Sequence, residues 1–141
     1  MSDDAQALAE RSAAELWRTD LASQGLGMRL GKIAPGQVSV TMTVREDMAN
    51  GHGICHGGFL FTLADTAFAF ACNSGGEATV AASGQIDFLE AVKVGDCLTA
   101  TGSREWERGR QGIYNVEIRR ADGALVALFR GRSHRLGAGK K

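Results

Sequence analysis

No run in this 141-residue chain approaches the ~18 consecutive apolar residues of a membrane span, and no N-terminal segment joins a basic head to an apolar stretch. A cytoplasmic protein is the expectation. Net charge is absent as well: 16 Lys and Arg balance 16 Asp and Glu, so the whole-protein field offers no general attraction to nucleic acid or an anionic membrane. Any anion site must be local. Cysteine is scarce, and Cys55, Cys72 and Cys97 follow neither a C-x-x-C nor a ribbon spacing, which reads as reduced thiols. His52, Cys55 and His56 stand close together but have no fourth ligand at plausible spacing, so no metal is expected. Internal repeats and low-complexity segments are lacking too. What is present is 44% hydrophobic content, which excludes a disordered chain and gives one domain of this length a real core.

Between Asp47 and Glu77 the only formally charged side chain is Asp65. It falls within Gly58–Asn73, a segment of helical length that is apolar nearly all round through Leu60, Phe61, Leu63, Ala64, Ala67, Phe68, Phe70 and Ala71, and so predicts a helix wrapped by the rest of the protein. Burying an ionised carboxylate without partners costs several kcal/mol, so Asp65 must be paired, protonated or used. The lack of a nearby cation favours use. Just upstream, His56-Gly57-Gly58 provides a flexible helix start whose backbone N–H groups can face a ligand, where negative charge is favoured. Asp65 follows Gly58 by about two turns, on the same face but roughly 10 Å along the axis, so the two groups do not obviously meet on one atom within a single chain. A second subunit could bring them together. Cys55, beside His56, has a nucleophilic reading to set against that of a small buried thiol, and the latter is preferred because adjacent side chains in an extended loop point opposite ways.

The remaining pattern predicts a single domain over 1–141, with an N-terminal helix in 1–23, a core over 24–134 and a flexible tail over 135–141. The first helix carries Leu8, Ala9, Ala13, Leu16, Trp17 and Leu21 on one stripe. Two strands follow, Met28–Ile33 and Val38–Arg45, turning at Pro35-Gly36. Beyond the buried helix come four more strands: Ala78–Leu89, Cys97–Trp106, Gly112–Arg120 and Ala124–Arg132, with glycine-containing turns between the last three. No βαβ alternation occurs, so the fold class is α+β: a mainly antiparallel six-stranded sheet curled around one long buried helix. A sheet cannot cover every side of such a helix, so the remaining side is expected to meet another subunit.

This order of elements, with N-G-H-x-x-x-H-G-G followed after six residues by Asp65, resembles the hotdog-fold thioesterases. The run Asn50–Asp65, its extension Thr66–Ser74, Ile86-Asp87-Phe88-Leu89 and the tail Ala127–His134 resemble the phenylacetate-degradation branch of that family. The resemblance implies hydrolysis of acyl-coenzyme A thioesters, of the hydroxyphenylacetyl class, with Asp65 as nucleophile or as general base for water. It also implies that the Gly57 N–H polarises the thioester oxygen, that a partner subunit's carboxylate completes each site, that Asn50 orients the lytic water, and that His56 contacts the acyl group or holds the loop. Thr66 would adjust Asp65.

Each of these residues also has a plainer role available: Asn50-Gly51 as a turn, His56 as a loop histidine, Thr66 as a hydroxyl bonded back along its helix. Gly58 and Phe59 are expected at the substrate, although Phe59, Phe61, Phe68 and Phe70 are mostly core by composition. Arg130 and Arg132, in a tail without acids, suit the coenzyme A phosphates or a subunit contact, since alternation puts both on one strand face. Arg104, Arg108 and Arg110 form a second basic group that reads equally as ordinary surface. No cofactor is expected beyond coenzyme A as part of the substrate, and no nucleic-acid or membrane partner. The expected assembly is a homodimer at least, and a homotetramer. Two alternatives keep the fold: an acyl-coenzyme A dehydratase or hydratase, and a non-enzymatic acyl-coenzyme A sensor.

Overall fold

The computed structural model describes residues 2–137; the expected basic end at Lys140 and Lys141 lies outside the described residues. Three helices and six strands follow one another as α1 (Ser2–Thr19), α2 (Leu21–Gly25), β1 (Arg29–Ala34), β2 (Gln37–Thr43), α3 (Gly57–Cys72), β3 (Thr79–Phe88), β4 (Cys97–Arg108), β5 (Gln111–Arg120) and β6 (Leu125–Arg135). The strands form one antiparallel sheet in the order β1-β2-β4-β5-β6-β3. No helix among the described residues is long and apolar enough to cross a membrane.

Most element ends differ from the sequence pattern by a residue or two, and two departures are larger. The N-terminal helix is interrupted at Asp20, whose side chain caps a separate short helix, α2, by accepting the Ser23 N–H. The amphipathic stripe runs on through Leu21, but that side chain is 73% exposed and does not hold the second turn in line with the first. At the other end β6 continues through Ser133 and His134 to Arg135, and Leu136 N–H still bonds Ala78 O, so ordered backbone extends into the segment expected to be tail.

The inner face of the sheet is set by alternation: Val38, Val40 and Met42 on β2, Leu98 and Ala100 on β4, Tyr114, Val116 and Ile118 on β5, and Phe129 on β6 are all buried. Against them lies α3 with Leu60, Leu63, Ala64, Ala67, Phe68 and Ala71. Glycine lets the sheet close on the helix. A Cβ at Gly102 would sit 3.0 Å from the Ala67 carbonyl oxygen, and one at Gly131 would sit 2.8 Å from the Phe68 ring. The ring of Phe68 packs between Tyr114 and Phe129, with centroids 5.6 Å from each. Helix α1 covers the far end of α3, where Trp17 meets Phe70 at 6.1 Å.

Strand β3 is hydrogen-bonded on one side only, to β6, and forms an edge of the sheet. Its ten residues are exposed except for Thr79 and Ile86, which are intermediate. Asn73 ties its start to the end of α3: its amide donates to Ala69 O and Thr79 O, and its oxygen accepts the Thr79 N–H.

Candidate active site

The loop before α3 is built to present the start of that helix. Asn50 Oδ1 accepts the N–H groups of His52 (2.9 Å) and Ile54 (3.3 Å), Asn50 N–H bonds Ile54 O, and Gly53 adopts φ +79° to close the turn. The loop is then pinned to the body by His56 N–H on Met48 O and Cys55 N–H on Val92 O. Its last residue, His56, caps α3: Nδ1 accepts the Gly58 N–H at 2.9 Å. That fixes the ring as a loop holder, with Phe59 against its edge at 6.2 Å. The neighbouring Gly57 N–H has no acceptor among the described residues. Gly57 itself lines a cleft of about 380 Å³, with Asn50, Leu60, Phe88 and Leu89 among its other walls. Asn50 thus performs the turn role with its oxygen while also standing in the wall of the cleft.

Asp65 lies further along α3, half-buried and without a hydrogen bond or ion pair among the described residues. Burial first, and the like charge of Asp20 second, push its carboxyl above the usual carboxylate value. Asp65 does not line the cleft that Gly57 and Asn50 share. Within one chain the carboxylate and the free amide therefore remain apart.

The other expected site residues take varied places. Thr66 is buried, donates back along its helix to Thr62 O at 2.9 Å and also meets Ser23 Oγ at 2.9 Å. Phe59 is partly buried against the core, while Phe61 packs on Phe129 at 5.4 Å. A Cβ on Gly58 would press on the His56 ring. Arg130 and Arg132 do share a strand face, but it is the outer face of the sheet, turned away from α3. There Arg130 pairs with Glu105 at 2.8 Å and bonds Asn115, and Arg132 bonds Gln111 at 2.7 Å. Arg104 closes over Gly36 and the Tyr114 hydroxyl. Cys55 is buried with its thiol pushed up by that burial, the opposite of what a nucleophile needs; Cys72 is pushed up to about 12.

Two contributions escape a reading of the chain alone. Phe88, at the end of β3, lays its ring over Gly57; the signal available was an apolar pair, Phe88-Leu89, at a strand end. Asp20 and Ser23 reach Thr66 from the N-terminal segment; the signal was an Asp three residues before a Ser, the spacing of a helix cap.

An antiparallel sheet wrapped on one helix, with a glycine amide at the helix start and a lone carboxylate two turns on, is the hotdog arrangement of a thioester hydrolase. The Thioesterase superfamily model matches residues 52–127, and the chain belongs to that family. It is 46% identical over 127 residues to the acyl-coenzyme A thioesterase PaaI of Escherichia coli (strain K12), covering 90% of this chain and 91% of that protein. The solved structure of E. coli PaaI, from the phenylacetic acid degradation operon, superposes with a TM-score of 0.92 at 45% identity, over 94% of this chain and 96% of the other. A hypothetical thioesterase from Streptococcus pneumoniae, solved with coenzyme A, superposes with a TM-score of 0.75 at 29% identity, over 78% and 86% of the two chains.

Proposed function

We propose that this chain hydrolyses acyl-coenzyme A thioesters, with phenylacetyl and hydroxyphenylacetyl groups as the preferred acyl class, in the breakdown of aromatic acids. The observation that carries the proposal is that α3 holds both an unclaimed amide, on the cleft-lining Gly57, and an unpaired, half-buried carboxylate, Asp65. Support for the substrate comes from the similarity to E. coli PaaI and from coenzyme A in the S. pneumoniae structure. The apolar wall of the cleft, with Leu60, Phe88 and Leu89, suits an aromatic acyl group.

In this mechanism the thioester oxygen accepts the Gly57 N–H, which strengthens as the carbonyl becomes an oxyanion; a preorganised donor of this kind contributes about 3–4 kcal/mol. Glycine permits the close approach because a side chain there would stand between substrate and backbone. Asp65 supplies the negative group, either attacking the carbonyl or taking a proton from water, and its raised proton affinity makes it a stronger base for the second task. A thiolate leaves readily, so no strong general acid is required.

Because Asp65 and Gly57 stay apart on one helix, each site takes the amide from one chain and the carboxylate from another. The exposed β3 edge, with Phe88 and Leu89 at its end, supports a second copy as the occupant, giving a homodimer as the working unit and a homotetramer as a pair of dimers.

The test is thiol release from phenylacetyl-, hydroxyphenylacetyl- and straight-chain acyl-coenzyme A by wild type and Asp65→Asn. Preferential cleavage of the aromatic thioesters by wild type and a loss of ~10²-fold or more in the variant are expected. Equal cleavage by a folded Asp65→Asn protein would leave Asp65 without a chemical role.

A further inference from the structure

We infer that Asp20, a residue of the N-terminal segment, is a positioning residue that sets the pH range over which Asp65 works, through its charge and through the buried hydroxyls of Ser23 and Thr66. The inference rests on Asp65 being the reactive carboxylate.

Asp20 stands in the break between α1 and α2. Its Oδ1 accepts the Ser23 N–H at 3.0 Å and its Oδ2 accepts the Ser23 hydroxyl at 2.8 Å. Ser23 Oγ lies 2.9 Å from Thr66 Oγ1, and both side chains are buried. A carboxylate that is distant in sequence is therefore tied by two hydroxyls to the residue next to Asp65.

Counting protons shows that this is more than a helix cap. Each hydroxyl carries one proton. Three contacts need one: Ser23 to Asp20, Ser23 with Thr66, and Thr66 to Thr62 O at 2.9 Å. With Asp20 ionised, Ser23 gives its proton to the carboxylate, and the single Thr66 proton serves either Ser23 or the Thr62 carbonyl. The chain is one donor short. A neutral Asn or Ser would cap α2 equally well, so the charge at Asp20 is not required for folding the turn. Nor is that charge balanced: Asp20 has no ion pair among the described residues.

Its field reaches Asp65 with little opposition. From the strands packed on α3, the buried side chains are apolar apart from Ser133 and Tyr114; the charged Arg104, Glu107 and Arg135 gather around Cys72 at the far end of the helix, where Arg104 holds the Tyr114 hydroxyl. On the helix itself the other titratable group is Cys72, two turns beyond Asp65. Among the described residues Asp20 is the charged neighbour that bears on Asp65, and a like charge holds the proton on longer.

The test is the titration of the Asp65 side-chain carboxyl carbon by NMR in the full-length wild type and in Asp20→Asn, with Asp65→Asn identifying the signal. The amide introduced by Asp20→Asn would keep the cap and supply the missing donor to Ser23. The Asp65 midpoint is expected to fall in Asp20→Asn, and to fall further at low salt than at high salt. The acid limb of thioester hydrolysis should move in the same direction. Asp20→Glu, which keeps the charge, should titrate near wild type. Asp20→Ser, another neutral cap, takes the place of Asp20→Asn if that variant folds poorly. An Asp65 midpoint unchanged in both neutral variants overturns the inference, as does an Asp20→Glu midpoint matching theirs. Should wild type cleave no thioester, the functional proposal fails while the NMR midpoints still decide the role of Asp20.

Discussion

The ring of Phe88 rests on the α-carbon of Gly57, so closely that a methyl placed there would meet Phe88 Cζ at 2.8 Å. The last residue of the edge strand thus covers the first residue of the buried helix. Gly57→Ala is expected to fold, because Phe88 is 53% exposed and can swing aside and because alanine favours helix. The same methyl obstructs the amide, so kcat/KM should fall about 10²-fold or more while the melting temperature stays near that of wild type. Paired steady-state assays and thermal melts check this.

Asp65→Asn should lose activity and gain stability at neutral pH. Asp65 has its folded-state proton affinity raised, so between the ordinary carboxylate value, ~4, and the folded value the native state binds more protons than the unfolded one. Wild-type stability therefore declines as pH rises through that window and stays lowered above it. The asparagine variant lacks this penalty. The gap in melting temperature, variant above wild type, should open as pH rises above the ordinary carboxylate value of ~4 and close again in acid.

Mixing two inactive proteins offers a direct check on the shared site. After subunit exchange between Gly57→Ala and Asp65→Asn, about half the dimers are mixed, and one site of each mixed dimer carries both native groups, so activity should return to about a quarter of wild type. Mixtures that stay inactive despite proven exchange would show that amide and carboxylate must come from one chain.

Phe68→Ala should be among the most destabilising single changes. The ring is 1% exposed and fills the space between Tyr114, Phe129 and the backbone of Gly131. Its removal is expected to cost about 3–5 kcal/mol in urea unfolding. Gly102→Ala should also destabilise, by about 1–3 kcal/mol, because the contact is with the Ala67 carbonyl and a backbone cannot turn away as a ring can.

The buried helix was legible because its sequence is apolar on every side, and Asp65 was legible because nothing else nearby carries charge. The strands were legible from alternation and glycine turns, with most of their ends shifted by one to three residues. Pairing was not. Alternation put Arg130 and Arg132 on one face, but the Arg130 partner Glu105 lies 25 residues upstream, and only the register of β4, β5 and β6 brings the two together. Asp20 stayed hidden for a related reason: the apolar stripe reads straight through it, and its bond to Ser23 matters only once Ser23 is set against Thr66.

The open flank of β3 carries a further implication. A ten-residue edge with unpaired backbone groups and exposed Val80 and Phe88 is adhesive to any strand, including those of unrelated chains. A second copy lying along it would bury the adhesive row, so folding would finish only when two molecules meet. Dilution would then act as a denaturant for this protein, and partner supply would govern how much of it survives in a cell.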